Sequence, residues 1–355
     1  MDSSKAAGSF EPRPEQVRAR TKRLVAVALL LGAIVLAWSL RGGGSEGAVV
    51  VYTSVDQIFS EQVLRRFEEQ AGVSVRTVYD TEETKSTGVL NRLIAEAPNP
   101  QADLFWSGDP VRPLLLIDRG LVEPYVSPQA LEIPQGFKAA DGTWTGFAAR
   151  ARVLLVNRER LGGRSLPRSV RDLADPRWRG EAAIANPLFG TTTIQVAAWF
   201  SIWGEEEAKA FLTAMKENQV KIASSNGEVK RLVVAGEVAF GLTDTDDAFV
   251  AIRSGASVEL VYPDQEGMGT LVMPTVVLLL RGGPNPIPAR RLIDYLLSAD
   301  VETMLAESAA HMPLRPDLAR PEQAAKELRS MQVDYADVAR QMEEIQPWLR
   351  RWTGL

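Results

Sequence analysis

Residues 48–79 read AVVVYTSVDQIFSEQVLRRFEEQAGVSVRTVY, and the change of hydrophobic period inside this stretch decides the fold class. Residues 48–53 form a short, β-branched apolar run, the pattern of a strand buried on both faces. Ser54 and Asp56 can cap the segment that follows, where Ile58, Val63, Leu64 and Phe67 are expected on one apolar helical stripe with charges between them. Gly72 stops that helix, and residues 73–79 are a second strand. The same alternation continues outward. Residues 84–97 form an amphipathic helix with Val89, Leu90, Leu93 and Ile94 inward, Pro98-Asn99-Pro100 breaks it, and residues 102–106 make a third strand. Strand–helix–strand–helix–strand order predicts a parallel sheet with helices on both faces.

A second block repeats the logic. Strands are expected at 152–157 and 182–185. The latter leads through Asn186-Pro187 into Phe189-Gly190-Thr191-Thr192-Thr193 and a long helix. A strand at 238–242 ends in Thr243-Asp244-Thr245-Asp246-Asp247, residues 271–280 return as an apolar strand, and helices at 289–307 and 321–352 finish the chain. The expected class is α/β, in two lobes with a cleft between them. Residues 48–152 with 271–320 form one lobe and 153–270 the other. Residues 321–355 are a C-terminal helical segment packing on the lobes, with Met331, Tyr335, Val338, Met342 and Ile345 on one face.

Composition excludes whole chemistries. The 355 residues contain no Cys and one His, so thiol catalysis, disulfides, Cys-ligated zinc and any site needing two imidazoles are ruled out. The first 47 residues hold seven Lys/Arg and four Asp/Glu, a net of +3, which with the formal total of −5 leaves −8 on the remainder. An acidic body disfavours a phosphate-tracking nucleic-acid binder and is compatible with handling cations. Arg18, Arg20, Lys22 and Arg23 precede an apolar run of 17 residues at 24–40, the signature of export with residues 1–23 left in the cytoplasm. Signal cores run roughly 7–15 residues and spanning helices roughly 17–25, so the run serves as an uncleaved anchor or a cleaved signal peptide. The Gly-rich residues 41–47 read as a flexible linker, which puts the working part outside the cytoplasmic membrane, in the periplasm or on the extracellular side.

Polar residues gather at the carboxyl ends of the expected strands, where open α/β sheets bind ligands. After the first strand come Ser54, Asp56 and Gln57. After the second come Tyr79, Asp80, Thr81, Glu82 and Glu83, and after the third Trp106, Ser107 and Asp109. The later clusters are Phe189, Gly190, Thr191 and Thr192, then Asn226, then Asp244, Asp246 and Asp247. Each has a plain reading as helix cap or turn. The Gly190–Thr193 segment opens a helix, so its free N–H groups and hydroxyls suit an anion, although the Walker lysine is missing. Asp244 and Asp246 share a face if the segment is extended, and two carboxylates about 4 Å apart repel by roughly 4 kcal/mol at an effective dielectric of 20. A hard metal ion or an ammonium group would relieve that repulsion. Alternatively these acids cap and open a helix beginning near Ala248. Trp106, Trp144, Phe147, Tyr79 and Tyr262 are candidates to line the cleft. His311, alone at a helix end before Pro313, reads as structural. A Ser-His-Asp hydrolase lacks its Gly-x-Ser-x-Gly elbow, and a metal-dependent one lacks a base, so the chain is not read as an enzyme.

The opening at 49–75, the segment NPQADLFWSGD, the turn NPLFGTTT and the run GEVAFGLTDTDDA together resemble bacterial extracellular solute-binding proteins of the ferric-ion-binding type, the capture subunits of ABC importers. The resemblance spans about residues 48–320. It implies a type II periplasmic-binding-protein clamshell, a monomer that works with an ABC permease and ATPase and closes on iron or another hard metal ion with an accompanying anion. The anion region of that family matches Phe189 to Thr192 and Asn226. Its histidine after the first strand is replaced by Asp56, its glutamate after the third by Gly108 beside Asp109, and its adjacent tyrosines by Asp246-Asp247. The resemblance therefore implies Asp56, Asp246 and Asp247 as metal ligands. It also admits a zwitterion such as an amino-phosphonate, with its anionic end on Gly190–Thr192 and its cationic end near Asp246. A membrane-tethered sensor or assembly protein that kept the lobes is the alternative of another class.

Overall fold

The computed structural model describes residues 47–80, 87–308, 311–321, 324 and 327–354. The basic segment, the apolar run at 24–40, most of the linker, and Thr81, Glu82 and Glu83 lie outside the described residues. The chain from Ala48 onward opens with β1 (Val49–Thr53), α1 (Gln57–Ala71), β2 (Val75–Tyr79), α2 (Thr87–Ala95), β3 (Leu104–Ser107), α3 (Leu114–Asp118) and β4 (Val122–Glu123). β1 lies parallel between β2 and β3. α1 buries Ser60, Val63, Leu64 and Phe67, each buried apolar side chain contributing roughly 1.5–3 kcal/mol. Ile58, expected on this stripe, is 72% exposed. It precedes Val63 by five residues, which is about 140° round the helix from the buried face. The helix ends where Gly72 takes φ 66° and its N–H bonds Glu68 O at 2.9 Å.

The chain then crosses between lobes on β5 (Thr145–Asn157), and continues through β6 (Ala182–Ala185), α4 (Gly190–Trp203), α5 (Glu205–Glu217), β7 (Lys221–Ala223), α6 (Asn226–Val234), β8 (Phe240–Asp244), α7 (Thr245–Arg253) and β9 (Val258–Val261). It returns on β10 (Val272–Leu280), followed by α8 (Pro286–Leu296), α9 (Ala299–Glu307), α10 (Tyr335–Glu344) and α11 (Gln346–Thr353). The strands join in the order β2-β1-β3-β10-β5-β8-β6-β7, with β4 on β10 and β9 on β5. The first half of β5 runs antiparallel to β10, and its second half antiparallel to β8 and β9, so one strand belongs to both lobes. Within β5, Ala148 is an extra residue between the pairs Phe147–Thr275 and Ala149–Pro274, at φ 42°. Its N–H leaves the ladder and donates to the buried Glu302 carboxylate at 2.6 Å.

One apolar core packs α1 and α8 on the sheet of the first lobe around Val51, Leu104 and Trp106; α2, Phe105 and Leu116 fill the opposite face. In the second lobe α4, α5, Leu154 and Ile184 form one core, and α6, α7, Val153 and Leu155 the other. Met331, Val338, Met342, Ile345, Leu349 and Trp352 join the core containing α4. That covering explains why α4 is buried through ten consecutive residues from Thr191 to Phe200 rather than on one stripe.

Three element bounds differ from those expected from the sequence. β5 begins at Thr145 rather than 152, because pairing with β10 outweighs the weak strand preference of its Gly and Ala residues. The helix expected over 289–307 breaks at Leu297, and Ser298 caps the second piece by accepting from Val301 N–H. The last helical region begins at Tyr335 rather than 321.

Candidate ligand cleft

The carboxyl ends of β1, β3, β6 and β8 open on a cavity of about 240 Å³. Ser54, Asp56, Gly108 and Asp109 line it from the first lobe, and Asn186, Phe189, Gly190, Thr191, Asn226, Asp244, Asp246 and Asp247 from the second, with Arg150 of β5 between them. The N-termini of α4, α6 and α7 meet here. Gly190 starts α4 at φ 61°, a conformation that favours glycine. Ser225 caps α6 by accepting from Glu228 N–H, whereas Phe189 and Asp244, which precede α4 and α7, make no side-chain cap bond. Phe189 itself is 51% exposed at the cavity.

Beneath the cavity lies a buried polar network that the strand register creates. Arg152 of β5 and Asp244 of β8 are directly opposed. Arg152 Nη1 donates to Asp244 Oδ1 at 2.7 Å, Thr191 Oγ1 at 3.0 Å and Asn226 Oδ1 at 3.1 Å, while Nη2 reaches Thr192 Oγ1 at 3.2 Å. Asp244 also accepts from Thr191 Oγ1 at 2.8 Å and Asn226 Nδ2 at 3.1 Å. Burial pushes the Asp244 carboxyl up, but Arg152, Arg150 and these bonds hold it below the usual carboxylate range. Such a satisfied carboxylate organises the cleft floor rather than offering itself to a ligand.

Arg150, two residues earlier on the same face, reaches into the cavity. It donates to Gly108 O at 2.6 Å from one lobe and to Asp246 Oδ2 at 3.3 Å from the other, and lies 3.8 Å from Asp244. Burial disfavours its charge, yet Asp246, Asp244 and Asp56 raise its pKa further. Asp246 is pushed up to about 7: burial raises it, Arg150 opposes, and Asp247, Asp244 and Asp56 add repulsion. Asp247 pairs with Lys230 at 2.9 Å and accepts from Thr243 Oγ1 at 3.1 Å. Buried His311, beside Arg150 and Asp56, is held well below its usual range by burial and by Arg150.

The structure thus brings Ser54, Asp56, Asp109, Phe189, Gly190, Thr191, Asn226, Asp244, Asp246 and Asp247 to one cavity. Other expected residues stand elsewhere. Trp106 is fully buried, packed on Phe147 with its N–H on Thr275 Oγ1 at 3.3 Å, because side-chain alternation along β3 sends it to the core with Leu104. Ser107 is buried and accepts from Asp109 N–H, and Thr192 is buried beneath the cavity against Arg152. Gln57 lines a separate depression with Tyr79 and Asp80. The Asp109 carboxylate is taken up by Val111 N–H, Arg112 N–H and the Arg112 guanidinium, all within 3.0 Å. Asp246 does not share an extended face with Asp244, since α7 starts at Thr245 and places Asp246 and Asp247 in its first turn, as the helix-opening alternative expected. Among the described residues no three His, Cys, Asp or Glu side chains are grouped to hold a metal ion. Asp246 faces Arg150 and Asp247 faces Lys230 instead.

Sequence reading missed Arg150 and Arg152. The signal was present: two arginines at i and i+2 within the run FAARARVLLV occupy one face of a buried strand, and buried guanidinium groups demand partners.

The chain matches the model of the family described as bacterial extracellular solute-binding protein over residues 99–338. It is 26% identical over 284 residues to iron uptake protein A1 of Synechocystis, covering 76% of this chain and 77% of that protein. It is 23% identical over 317 residues to the putative 2-aminoethylphosphonate-binding periplasmic protein of Salmonella typhimurium, covering 87% and 88%. Its fold superposes on apo ferric ion-binding protein A of Pasteurella haemolytica with a TM-score of 0.78 at 20% identity, over 86% of this chain and 98% of that one. The two-lobe periplasmic-binding-protein architecture is therefore shared. Members of the family are not enzymes; they are the substrate-binding subunits that work with an ABC permease and ATPase. This chain belongs to the bacterial extracellular solute-binding protein family.

Proposed function

We propose that this chain captures a small, anion-bearing solute in the cleft between its lobes, outside the cytoplasmic membrane, and presents it to an ABC permease and ATPase. The observation that carries this reading is the uncapped N-terminus of α4 at Gly190-Thr191, facing the same cavity as Arg150. Helix N–H groups and a guanidinium together suit a phosphate, phosphonate, carbonate or carboxylate group. Asp56 and Asp246 supply acidic oxygens on the same cavity for the cationic part of the cargo. Iron arriving with an accompanying anion satisfies this pattern, in line with the Synechocystis relative, and so does a zwitterion such as the amino-phosphonate of the Salmonella relative's name. The position of Arg150 between the carboxylates favours the zwitterion, because its charge already occupies ground that a metal would need. The basic residues before the apolar run at 24–40 support export, with the run as signal or anchor.

Calorimetric titration with 2-aminoethylphosphonate, inorganic phosphate and ferric citrate tests the reading. Saturable binding of at least one, with a smaller radius of gyration in solution scattering, is expected. Absence of binding by all three, with an unchanged scattering profile, would reject it.

A further inference from the structure

Building on the proposed cargo class, we infer that Arg150 is the specificity-determining residue of the cleft: a resident cation that excludes a bare metal ion and admits cargo carrying its own anion. Its guanidinium is fixed from two directions, by Gly108 O of the first lobe at 2.6 Å and by Asp246 of the second at 3.3 Å. A Cβ on residue 108 would meet Arg150 Nη2 at an ordinary contact of 3.5 Å and would crowd Ser54 O at 3.2 Å, so glycine here relieves the packing of the β1 and β3 ends beside the guanidinium. Other cations already serve the neighbouring acids: Arg112 on Asp109, Arg152 on Asp244 and Lys230 on Asp247. Arg150 completes this set, so an entering metal ion must compete with a tethered guanidinium at Asp246 and then sit beside its charge. An anion meets the opposite situation. It approaches a guanidinium that lines the cavity together with the N-terminus of α4. An anionic group carried by the cargo can therefore pair with Arg150 while Asp246 turns to the cargo's cationic pole.

The test compares full-length wild type with Arg150→Gln and Arg150→Lys, using terbium(III) luminescence as the hard-cation probe and calorimetry with 2-aminoethylphosphonate and inorganic phosphate. Arg150→Gln is expected to bind terbium at least tenfold more tightly than wild type and the phosphonate at least tenfold more weakly. Arg150→Lys, which keeps the charge, is expected to stay close to wild type toward terbium. Thermal unfolding of each variant confirms that it is folded, and Arg150→Met, which also removes the charge, replaces the glutamine variant in the comparison if that variant is not. Equal terbium affinity in all three proteins would overturn the inference, as would a gain in Arg150→Lys as large as in Arg150→Gln. The terbium comparison does not depend on the natural cargo. A wild type that binds neither phosphonate nor phosphate would count against the cargo class, while a terbium gain confined to Arg150→Gln would still support the role of Arg150.

Discussion

Replacing Arg152 with methionine keeps the apolar stem filling the strand and removes only the guanidinium. The side chain is fully buried, and its four hydrogen bonds end on Asp244, Thr191, Asn226 and Thr192. Breaking a buried ion pair from one side leaves an uncompensated charge, at a cost of about 3–5 kcal/mol. Asp244 would keep its bonds from Thr191 and Asn226 and an Arg150 Nη1 at 3.8 Å, which places the expected loss toward about 3 kcal/mol. With about 2 °C lost per kcal/mol in a protein of this size, Tm should fall by roughly 6 °C. The pH dependence gives an independent reading. In wild type the folded Asp244 pKa is depressed, so its stabilisation exists above the unfolded pKa and is lost as pH falls through the folded one. In Arg152→Met burial dominates and raises that pKa. The deficit should therefore be largest near neutral pH and shrink in acid. Urea unfolding followed by tryptophan fluorescence between about pH 3 and 8, a range that brackets about 3.9 for unfolded Asp, measures both. The double variant Arg152→Met/Asp244→Asn should recover at least half of the loss. A loss below about 1 kcal/mol, or no recovery in the double variant, would refute the view that this pair is the buried floor of the cleft.

Two further outcomes are expected. Asp246, with its folded pKa raised to about 7, contributes stability that is complete below about pH 4 and lost as pH rises through 7. Asp246→Asn should therefore match wild type in urea unfolding at pH 4 and exceed it at pH 8; a constant difference across that range would contradict the assignment. Gly241→Ala would place a Cβ 2.4 Å from Val229 Cγ1 and 3.1 Å from Ala183 O, so overpacking between β8 and α6 should cost about 1–3 kcal/mol, and an unchanged denaturation midpoint would exclude that packing.

Sequence alone determined the alternation of strands and helices and the helix start at Gly190. It also determined the gathering of Ser54, Asp56, Asn226 and the Asp244–Asp247 run at strand ends. These depend on neighbours within a few positions: β-branched runs, caps, and glycine where φ is positive. Tertiary structure alone decided what each polar group meets. Trp106 and Ser107 sit at the end of their strand as expected, but the sheet's neighbours determine that both are buried. The resemblance implied a metal-ligating role for Asp246 and Asp247. Their partners, Arg150 at 96 positions' separation and Lys230, come from a strand and a helix that only the sheet order brings alongside. A carboxylate's electrostatic role is set by the charges within a few ångströms, and that distance has no counterpart in sequence spacing once strands pair across tens of residues.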